Sequence, residues 1–273
     1  MEVCCIMRVV RFFSLASAAI AFPLMALAGD PEPVDLLPDI ITNPATLTDT
    51  EIVDNVVSGR IHLRLSNSTP NIGDGPLEVY GVEPKHDGEG DATQPVNQRI
   101  YRSDDSYYDR EAGFFEYHPE HHHTHLQDWS RYRLREILPN DGVGDVVAEG
   151  DKTSFCLLDS RVYDKTLPGA PPSSVFRDCD QGTQGISVGY EDLYSKELPD
   201  QWIDITDVPD GEYWLESETD AGNVILEKDE TNNSARVKVI IDKGDTGPNL
   251  MGIFAALFAI LQQLLAFLRG FFA

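Results

Sequence analysis

Short runs of β-branched and aromatic residues alternate with clusters of glycine, proline, asparagine and aspartate through the middle of the chain. β-Branched and aromatic residues favour strands, and the clusters between them favour turns. The clearest runs span residues 61–65, 77–80, 132–137, 213–218 and 235–241. Between the two ends of the chain no long segment carries the apolar period of a helix, so the pattern predicts an all-β domain with an antiparallel β-sandwich core.

Two stretches of this domain lack the strand pattern and are predicted to be long irregular loops at the surface. Residues 80–109 are polar and acidic, whereas residues 163–174 contain three prolines. Polar side chains favour solvent, and proline removes a backbone donor, so neither stretch fits a buried strand.

The N-terminus carries the pattern of a secretory signal peptide. Arg8 and Arg11 precede a short apolar run, and the small residues in 26–28 suit a signal peptidase. We therefore expect residues 1–28 to be removed on export, with an uncleaved anchor helix as the alternative. The exported protein would be extracellular, periplasmic or at the cell surface.

The C-terminus ends in a second apolar segment. Residues 251–273 are almost wholly apolar and long enough to cross a bilayer, and the breaker-rich linker 244–250 separates them from the predicted domain, residues 29–243. A transmembrane anchor, a processed lipid-anchor signal and an amphipathic helix on the membrane surface all fit this pattern. We favour a hydrophobic C-terminal helix that tethers the protein to the membrane.

Cysteine usage agrees with export. Removal of the signal peptide takes away Cys4 and Cys5 and leaves one pair, Cys156 and Cys179. In an oxidising compartment this pair is expected to form a disulfide. The closed loop of about two dozen residues would stabilise the fold by about 3 kcal/mol through the unfolded state.

The chain is strongly acidic, with 46 acidic and 21 basic residues, a formal charge of -25 and a pI near 4.4. No basic stripe interrupts the acidic residues, which argues against nucleic acid as a partner. A negative field would instead concentrate amines and divalent metal ions near the surface. Solubility in salty surroundings would produce the same composition.

Five of the seven histidines lie between His118 and His125. On a strand, His121, His123 and His125 point to one face, where three imidazoles make a strong site for Cu(II) or Zn(II). Residues four apart on a flat strand are about 13 Å apart, so the strand has to bend for one metal to bind all three. His118 and His122 are interpreted as supporting or surface residues. A solvated histidine patch that binds metals weakly is the alternative.

Three ordered segments that include this histidine run resemble segments of lysyl oxidases. Residues 116–132 resemble the family's copper-binding segment, and residues 147–157 (VAEGDKTSFCL) resemble the segment that holds the cofactor lysine. Residues 183–208 resemble the segment that holds the cofactor tyrosine. The likeness extends over residues 38–241 and is strongest after Phe115.

The resemblance implies a copper amine oxidase. It implies that His121, His123 and His125 bind copper(II), and that Lys152 and Tyr194 combine into lysine tyrosylquinone, a cofactor made from the chain's own side chains. Such an enzyme uses dioxygen to oxidise primary amines, whether peptidyl lysine or small amines, to aldehydes. Ammonia and hydrogen peroxide are released.

The chain departs from the animal pattern near the histidines. Glu120 stands where animal enzymes have a cysteine, Arg131 occupies a place where they tend to have a histidine, and disulfides are far fewer. These differences concern the substrate and the proton-transfer group. Asp128 and Asp204 are candidates for the base that removes the α-proton of the substrate, and both could instead orient imidazoles or bind main-chain donors.

The resemblance also implies a structural calcium site. Residues 226–233 are similar to a family segment that acts together with an early Pro-Asp-aliphatic element, here residues 38–40, and oxygen ligands of this kind suit Ca2+. The implied ligands are Asp39, Ile40, Glu227, Asp229, Asn232 and Asn233. From the residues alone, an acidic β-turn explains the later segment equally well.

Two other functions fit parts of the sequence. A copper-binding or adhesive β-sandwich at the cell surface would use the histidines alone, but the presence of both Lys152 and Tyr194 argues against it. A zinc hydrolase would activate water at an open metal position, but the chain shows no general-base motif on a helix.

Overall fold

Strands dominate the part of the chain that the computed structural model describes, residues 32–82, 93–118, 122–179 and 182–244. All of the elements belong to the unit Pro33–Ala273. Strands β1 to β16 run in chain order over Asp35–Leu36, Thr50–Asp54, Ile61–Leu65, Asn67–Pro70, Leu77–Gly81, Thr93–Arg102, Tyr107–His118, His123–Leu126, Ser130–Leu138, Gly142–Glu149, Arg161–Val162, Thr183–Ile186, Tyr190–Tyr194, Trp202–Asp204, Gly211–Thr219 and Ser234–Ile241. The helices are α1, Pro44–Leu47, and a 3-10 turn over Pro139–Asp141.

Several sequence predictions fall on residues beyond these ranges. The predicted signal peptide, 1–28, and the predicted C-terminal helix, 251–273, lie outside the described residues, as does the linker from residue 245 onwards. Among the described residues, no helix has the length and apolar character that crossing a bilayer requires. The limits 29 and 243 of the domain stay predictions.

The strands pair in four antiparallel sheets, and burial alternates along the strands. In β9, Tyr132 and Leu134 are buried, whereas Arg133 and Arg135 on the other face are partly exposed. The sheets have the strand orders β12-β5-β6-β7-β8 with β1 on β6, β10-β9-β15-β16, β11-β13-β4 and β14-β3-β2. Buried side chains from all four sheets meet in one hydrophobic core.

Phe155 in this core joins three segments of the chain. Its backbone exchanges two hydrogen bonds with Leu126 at the end of β8, at 2.7 and 3.1 Å. Its ring, 1% exposed, meets the ring of Tyr194 at the end of β13 edge to face, with centroids 4.7 Å apart. The histidine strand, the segment after Lys152 and the end of β13 are therefore held together by packing.

All five predicted strand runs are confirmed, because each lies within one of the strands β3, β5, β9, β15 and β16. The all-β class is confirmed as well, whereas the two-layer sandwich stays a prediction. Residues 163–174 are irregular, as predicted, and form turns and bends.

The predicted loop over residues 80–109 is wrong for residues 80–81, 93–102 and 107–109, whereas residues 83–92 lie outside the described residues. Thr93–Arg102 forms β6, which pairs with both β5 and β7, and β7 begins at Tyr107. Polar residues fit this strand because their amides are satisfied inside it. Gln98, 0% exposed, donates to the carbonyl oxygen of Leu226 at 3.0 Å and accepts from its amide at 2.8 Å.

Candidate functional site

The hairpin of β7 and β8 brings one carboxylate and three imidazoles to the same face. β7 ends at His118 and β8 begins at His123, and His118 lies opposite His123 while Glu116 lies opposite His125. Opposed residues, and residues two apart on a strand, share a face of the sheet. The Nε2 atoms of His123 and His125 are 3.0 Å apart, and their ring centroids are 4.9 Å apart.

The hairpin replaces the single strand predicted through the histidine run. His122 has a left-handed backbone, φ 59°, and an exposed side chain, so the strand begins only at His123. The rings of His123 and His125 share a face, as their alternate spacing predicts. His121 lies outside the described residues, and its place beside them stays a prediction.

His118 belongs to this histidine cluster rather than to the surface. Its ring stacks on that of His125 with centroids 4.1 Å apart, and its Nε2 lies 3.1 Å from Oγ of Ser154. The same Nε2 is 3.7 Å from a carboxylate oxygen of Glu116. The sequence interpretation left His118 undecided because the turn that folds β8 back onto β7 is not visible in residue spacing.

Lys152 lies beside the ring of Tyr194. Its Nζ is 5.3 Å from the centroid of that ring and 5.3 Å from the centroid of Phe155, and it lies 3.4 Å from the carbonyl oxygen of Pro199. Burial lowers the pKa of Lys152, and the nearby carboxylate of Asp200 partly opposes this. The local environment therefore favours the neutral amine more than water does.

The hydroxyl group of Tyr194 is fixed by the backbone of Cys156. It donates to the carbonyl oxygen at 2.7 Å and accepts from the amide at 3.0 Å. Burial, with a smaller contribution from the carboxylate of Asp192, raises the pKa of Tyr194 well above its usual value. The phenol is consequently protonated at neutral pH.

The predicted disulfide between Cys156 and Cys179 is confirmed, with Cα atoms 5.9 Å apart. Cys156 supplies the backbone that binds Tyr194, and Cys179 lines a cavity together with Tyr194 and Lys152. The disulfide therefore lies directly beside the predicted cofactor residues.

Two cavities meet at Lys152 and His125, which line both of them. One, of about 390 Å³, is also bounded by His123, Tyr194, Leu198 and Pro199. The other, of about 370 Å³, is also bounded by Glu116, His118, Asp151, Asp200 and Trp202. The fold thus gathers the described members of the predicted copper and cofactor residues around two adjoining spaces.

Neither carboxylate considered as the base lines these cavities. Asp204 accepts hydrogen bonds from Thr206 and pairs with Arg60 at 3.1 Å, and Asp128 is exposed. The carboxylates that do line them are Glu116, Asp151 and Asp200. Sequence reasoning missed these because strand pairing and the turn after β13 bring them there, and only the position of Asp151 beside Lys152 could have indicated one of them.

The early and late segments of the predicted calcium site meet in the structure. The amide of Ile40 donates to Glu227 at 2.5 Å, and the side-chain amide of Asn233 donates to the same carboxylate at 2.8 Å. The side-chain amide of Asn232 donates to Asp39 at 2.8 Å. Five of the six implied ligand residues therefore lie together.

The acidic part of this site differs in detail from the implied set. The carboxylate of Asp229 is exposed and accepts from Thr231 at 2.9 and 2.6 Å in a local turn. Asp220, Glu227 and Glu230 instead bring carboxylate oxygens within 4.8 Å of one another. The sequence-based ligand set included neither Asp220, which lies outside the resembling segment, nor Glu230, which lies within it.

The electrostatics of this acidic group suit a bound cation. Burial raises the pKa of Glu227 to about 8 and that of Asp220 to about 6. The side-chain oxygens of Asn232 and Asn233 are buried and accept no hydrogen bond from the described residues. Carboxylate and amide oxygens without other partners are the donors that Ca2+ prefers.

A lysyl oxidase family model matches residues 101–246, slightly more than half of the chain. The chain belongs to the lysyl oxidase family. The matched range contains the β7–β8 hairpin, Lys152, the disulfide and Tyr194, so the resemblance inferred from the sequence is confirmed.

Relatives of this lysyl oxidase family member include human lysyl oxidase homolog 1, which is 38% identical over 126 residues, 46% of this chain and 20% of the relative. Human lysyl oxidase homolog 3 is 37% identical over 121 residues, 44% of this chain and 15% of the relative. The protein-lysine 6-oxidase of Sus scrofa is 34% identical over 129 residues, 46% of each protein. The chain therefore spans less than half the length of these curated relatives.

Proposed function

We propose that this lysyl oxidase family member is a copper-dependent amine oxidase that converts primary amines to aldehydes. One observation carries the proposal: Nζ of Lys152 lies 5.3 Å from the ring centroid of Tyr194, and both residues line a cavity with His123 and His125. The amine therefore lies close to the ring to which it would bond. Family membership supports an oxidoreductase, and a relative is named protein-lysine 6-oxidase.

The histidines fit a Cu(II) site. Ligands at right angles with bonds of about 2.0 Å are about 3 Å apart, which is the separation of the Nε2 atoms of His123 and His125. His121 would supply the third nitrogen, and His118 would hold the ring of His125 in place by stacking. When bound, copper would mediate electron transfer from the tyrosine ring to dioxygen.

Lys152 and Tyr194 would form the quinone cofactor. The overall reaction would convert one phenol, one neutral amine and two dioxygen molecules into the cross-linked quinone, one water and one hydrogen peroxide. Burial lowers the pKa of Lys152 and so favours the neutral amine that forms the C–N bond. Phe155, packed edge to face on Tyr194, would hold the tyrosine ring in its plane while the hydroxyl group gives up its hydrogen bonds to Cys156.

During turnover, amine, water and dioxygen would be converted into aldehyde, ammonia and hydrogen peroxide in equal numbers. The substrate has to lose an α-proton to a base within reach of the cofactor. The lining carboxylates are the groups placed to accept it: Glu116, Asp151 and Asp200.

A structural Ca2+ is part of the proposal. Asp39, Ile40, Glu227, Asn232 and Asn233 would bind it together with Asp229, and Asp220 and Glu230 would add negative charge. The ion would tie the first described strands to the segment before β16. Its role would be to stabilise the fold rather than to act on the substrate.

Export and membrane attachment complete the proposal. A disulfide between Cys156 and Cys179 needs an oxidising compartment, which agrees with a signal peptide at residues 1–28. We propose that the protein acts extracellularly, in the periplasm or at the cell surface, with residues 251–273 as a membrane anchor and residues 29–243 as the catalytic domain.

Phenylhydrazine, which forms coloured adducts with carbonyls of quinones, tests the proposed activity. The full-length chain is loaded with copper in air, and a coloured adduct with hydrogen peroxide release from a primary amine is expected. Lys152→Arg and Tyr194→Phe should abolish both signals, whereas the surface controls Lys228→Arg and Tyr108→Phe should keep them. A copper-loaded parent without an adduct contradicts the amine oxidase and leaves a copper-binding module.

A further inference from the structure

The two cavities that meet at Lys152 and His125 have walls of different chemistry. One, of about 390 Å³, is otherwise lined by aromatic rings, aliphatic side chains and the disulfide, and we call it the apolar cavity: His123, Tyr194, Cys179, Leu198 and Pro199. Among the described residues, no carboxylate lines the apolar cavity, whereas three line the other, which we call the carboxylate cavity. A neutral, apolar ligand therefore meets a matching surface in the first of the two.

Leu198 is held at the apolar cavity by the turn between β13 and β14. Its amide donates to the carbonyl oxygen of Ser195 at 3.0 Å. In the same turn, Lys196 donates through its amide to Oγ of Ser66 at 3.0 Å, and its carbonyl oxygen accepts from Arg64 at 2.8 Å. Leu198 remains 38% exposed. Hydrogen bonds of the turn, rather than burial in the core, therefore place this apolar side chain beside the cavity.

Two chemically different reactants, an amine and dioxygen, have to reach the cofactor, a requirement that rests on the proposed function. The groups placed to take the α-proton of the amine all line the carboxylate cavity, so the α-carbon of the substrate has to be on that side of Lys152. Copper(II) on His123 and His125 would add positive charge to the wall of the apolar cavity, where no described carboxylate compensates it. An ammonium ion would be repelled there, whereas dioxygen, which has no charge, would not.

We propose that the apolar cavity binds dioxygen and that Leu198 provides the main contact. Dioxygen is apolar and accepts hydrogen bonds only weakly, and small apolar molecules of this kind occupy apolar cavities. Tyr194 and the proposed copper ligands His123 and His125 line the same cavity. Dioxygen bound there would lie beside the tyrosine ring when the cofactor forms, and beside the cofactor when it is reoxidised. Amine and dioxygen would thus reach the cofactor through different cavities.

Xenon tests the site without catalysis, because it is inert, apolar and comparable in size to dioxygen. The copper-free full-length protein is pressurised with xenon, and the ring signals of Tyr194 are followed by NMR, with the exposed Tyr108 as the internal control. We expect the Tyr194 signals to shift in proportion to xenon pressure and those of Tyr108 to stay unchanged. Leu198→Asn, which keeps the size of the side chain but makes it polar, should reduce the shift at Tyr194 by about threefold or more.

Kinetics of the copper-loaded, quinone-containing protein test the site during turnover, with butylamine as the amine. In a ping-pong reaction, kcat/KM for dioxygen reports only the step that consumes dioxygen, and kcat/KM for the amine only the step before it. Leu198→Asn should lower kcat/KM for dioxygen by about threefold or more, the effect of one methylene-sized contact, and leave kcat/KM for butylamine unchanged. Leu198→Ile, which stays apolar, should keep the parent values, as should Leu138→Asn at an exposed leucine outside both cavities.

The outcomes separate the dioxygen site from the proposed activity. Xenon shifts at Tyr194 no larger than those at Tyr108, or shifts that Leu198→Asn does not reduce, overturn the site whatever the outcome for activity. A quinone-containing Leu198→Asn variant with the parent kcat/KM for dioxygen overturns the site and leaves the amine oxidase intact. Absence of quinone and of amine oxidation in the copper-loaded parent overturns the proposed activity. Circular dichroism checks that each variant is folded.

Discussion

The hydroxyl group of Tyr194 donates to the carbonyl oxygen of Cys156 and accepts from the amide of the same residue, at 2.7 and 3.0 Å. Cys156 in turn is bonded to Cys179. The disulfide therefore restrains the backbone that orients the proposed cofactor tyrosine, and structural stability and the proposed cofactor formation would be coupled at this point.

Removal of the disulfide should affect both properties. The double variant Cys156→Ser with Cys179→Ser should lose about 3 kcal/mol of unfolding free energy, because the unfolded chain is no longer constrained. Quinone absorbance should also appear more slowly after copper is added. Urea unfolding with and without reductant measures the first effect. Reductant should lower the unfolding free energy of the parent to that of the variant and should leave the variant unchanged. Equal stability of parent and variant would contradict the prediction.

The lowered pKa of Lys152 predicts that its amine reacts with acetylating reagents at a lower pH than an ordinary lysine does. Only the neutral amine reacts, so the acetylation rate rises with pH through the pKa of each lysine. Lys152 should reach half of its maximal rate at a lower pH than Lys228, whose pKa is raised by its hydrogen bond to Asp74. Mass spectrometry of the copper-free protein measures both residues in one sample. The reverse order of the two midpoints would contradict the proposed environment of Lys152.

The stacking of His118 on His125 predicts a supporting role in copper binding. His118→Ala should weaken copper affinity by roughly 10- to 100-fold, the usual effect of removing a residue that orients a metal ligand. Competition with a chelator of known affinity measures the change. His122→Ala, in the exposed turn of the same hairpin, is the matched control and should bind copper like the parent. Parent-like affinity of the His118 variant would show that the contact is incidental.

The acidic group of Asp220, Glu227 and Glu230 predicts stabilisation by calcium. Calcium at 100 times its dissociation constant should add about 2.7 kcal/mol to the unfolding free energy, because the ion binds only the folded chain. Thermal unfolding with calcium, and with excess chelator, measures the effect. Glu227→Gln should largely remove the response, whereas Glu212→Gln at the edge of β15 should retain it. A parent protein indifferent to calcium would reject the cation site.

Local sequence patterns predicted the strands well because burial alternates along them. Tyr132 and Leu134 face the core while Arg133 and Arg135 do not, and this period is legible in the sequence. The strand Thr93–Arg102 was missed because its buried positions include Gln98, which becomes compatible with the core only through hydrogen bonds to Leu226. Such a partner, 128 residues away, has no local signature.

The candidate site was predictable only in part for the same reason. Alternate spacing predicts the shared face of His123 and His125, and resemblance to a family, not residue spacing, identified Lys152 and Tyr194. The contributions of His118 and Asp200 depend on a hairpin turn and on the turn after β13. Long-range pairing of this kind arises from tertiary structure, which residue periodicity does not encode.

The central claim is that Lys152 and Tyr194 become covalently joined beside a copper site. Tandem mass spectrometry of a protease digest of the copper-loaded, air-exposed chain tests it directly. We expect one cross-linked product that contains both residues, with the mass of the two peptides plus one oxygen atom and minus four hydrogen atoms. Recovery of both peptides unmodified, in a protein that binds copper and is folded, would contradict the account.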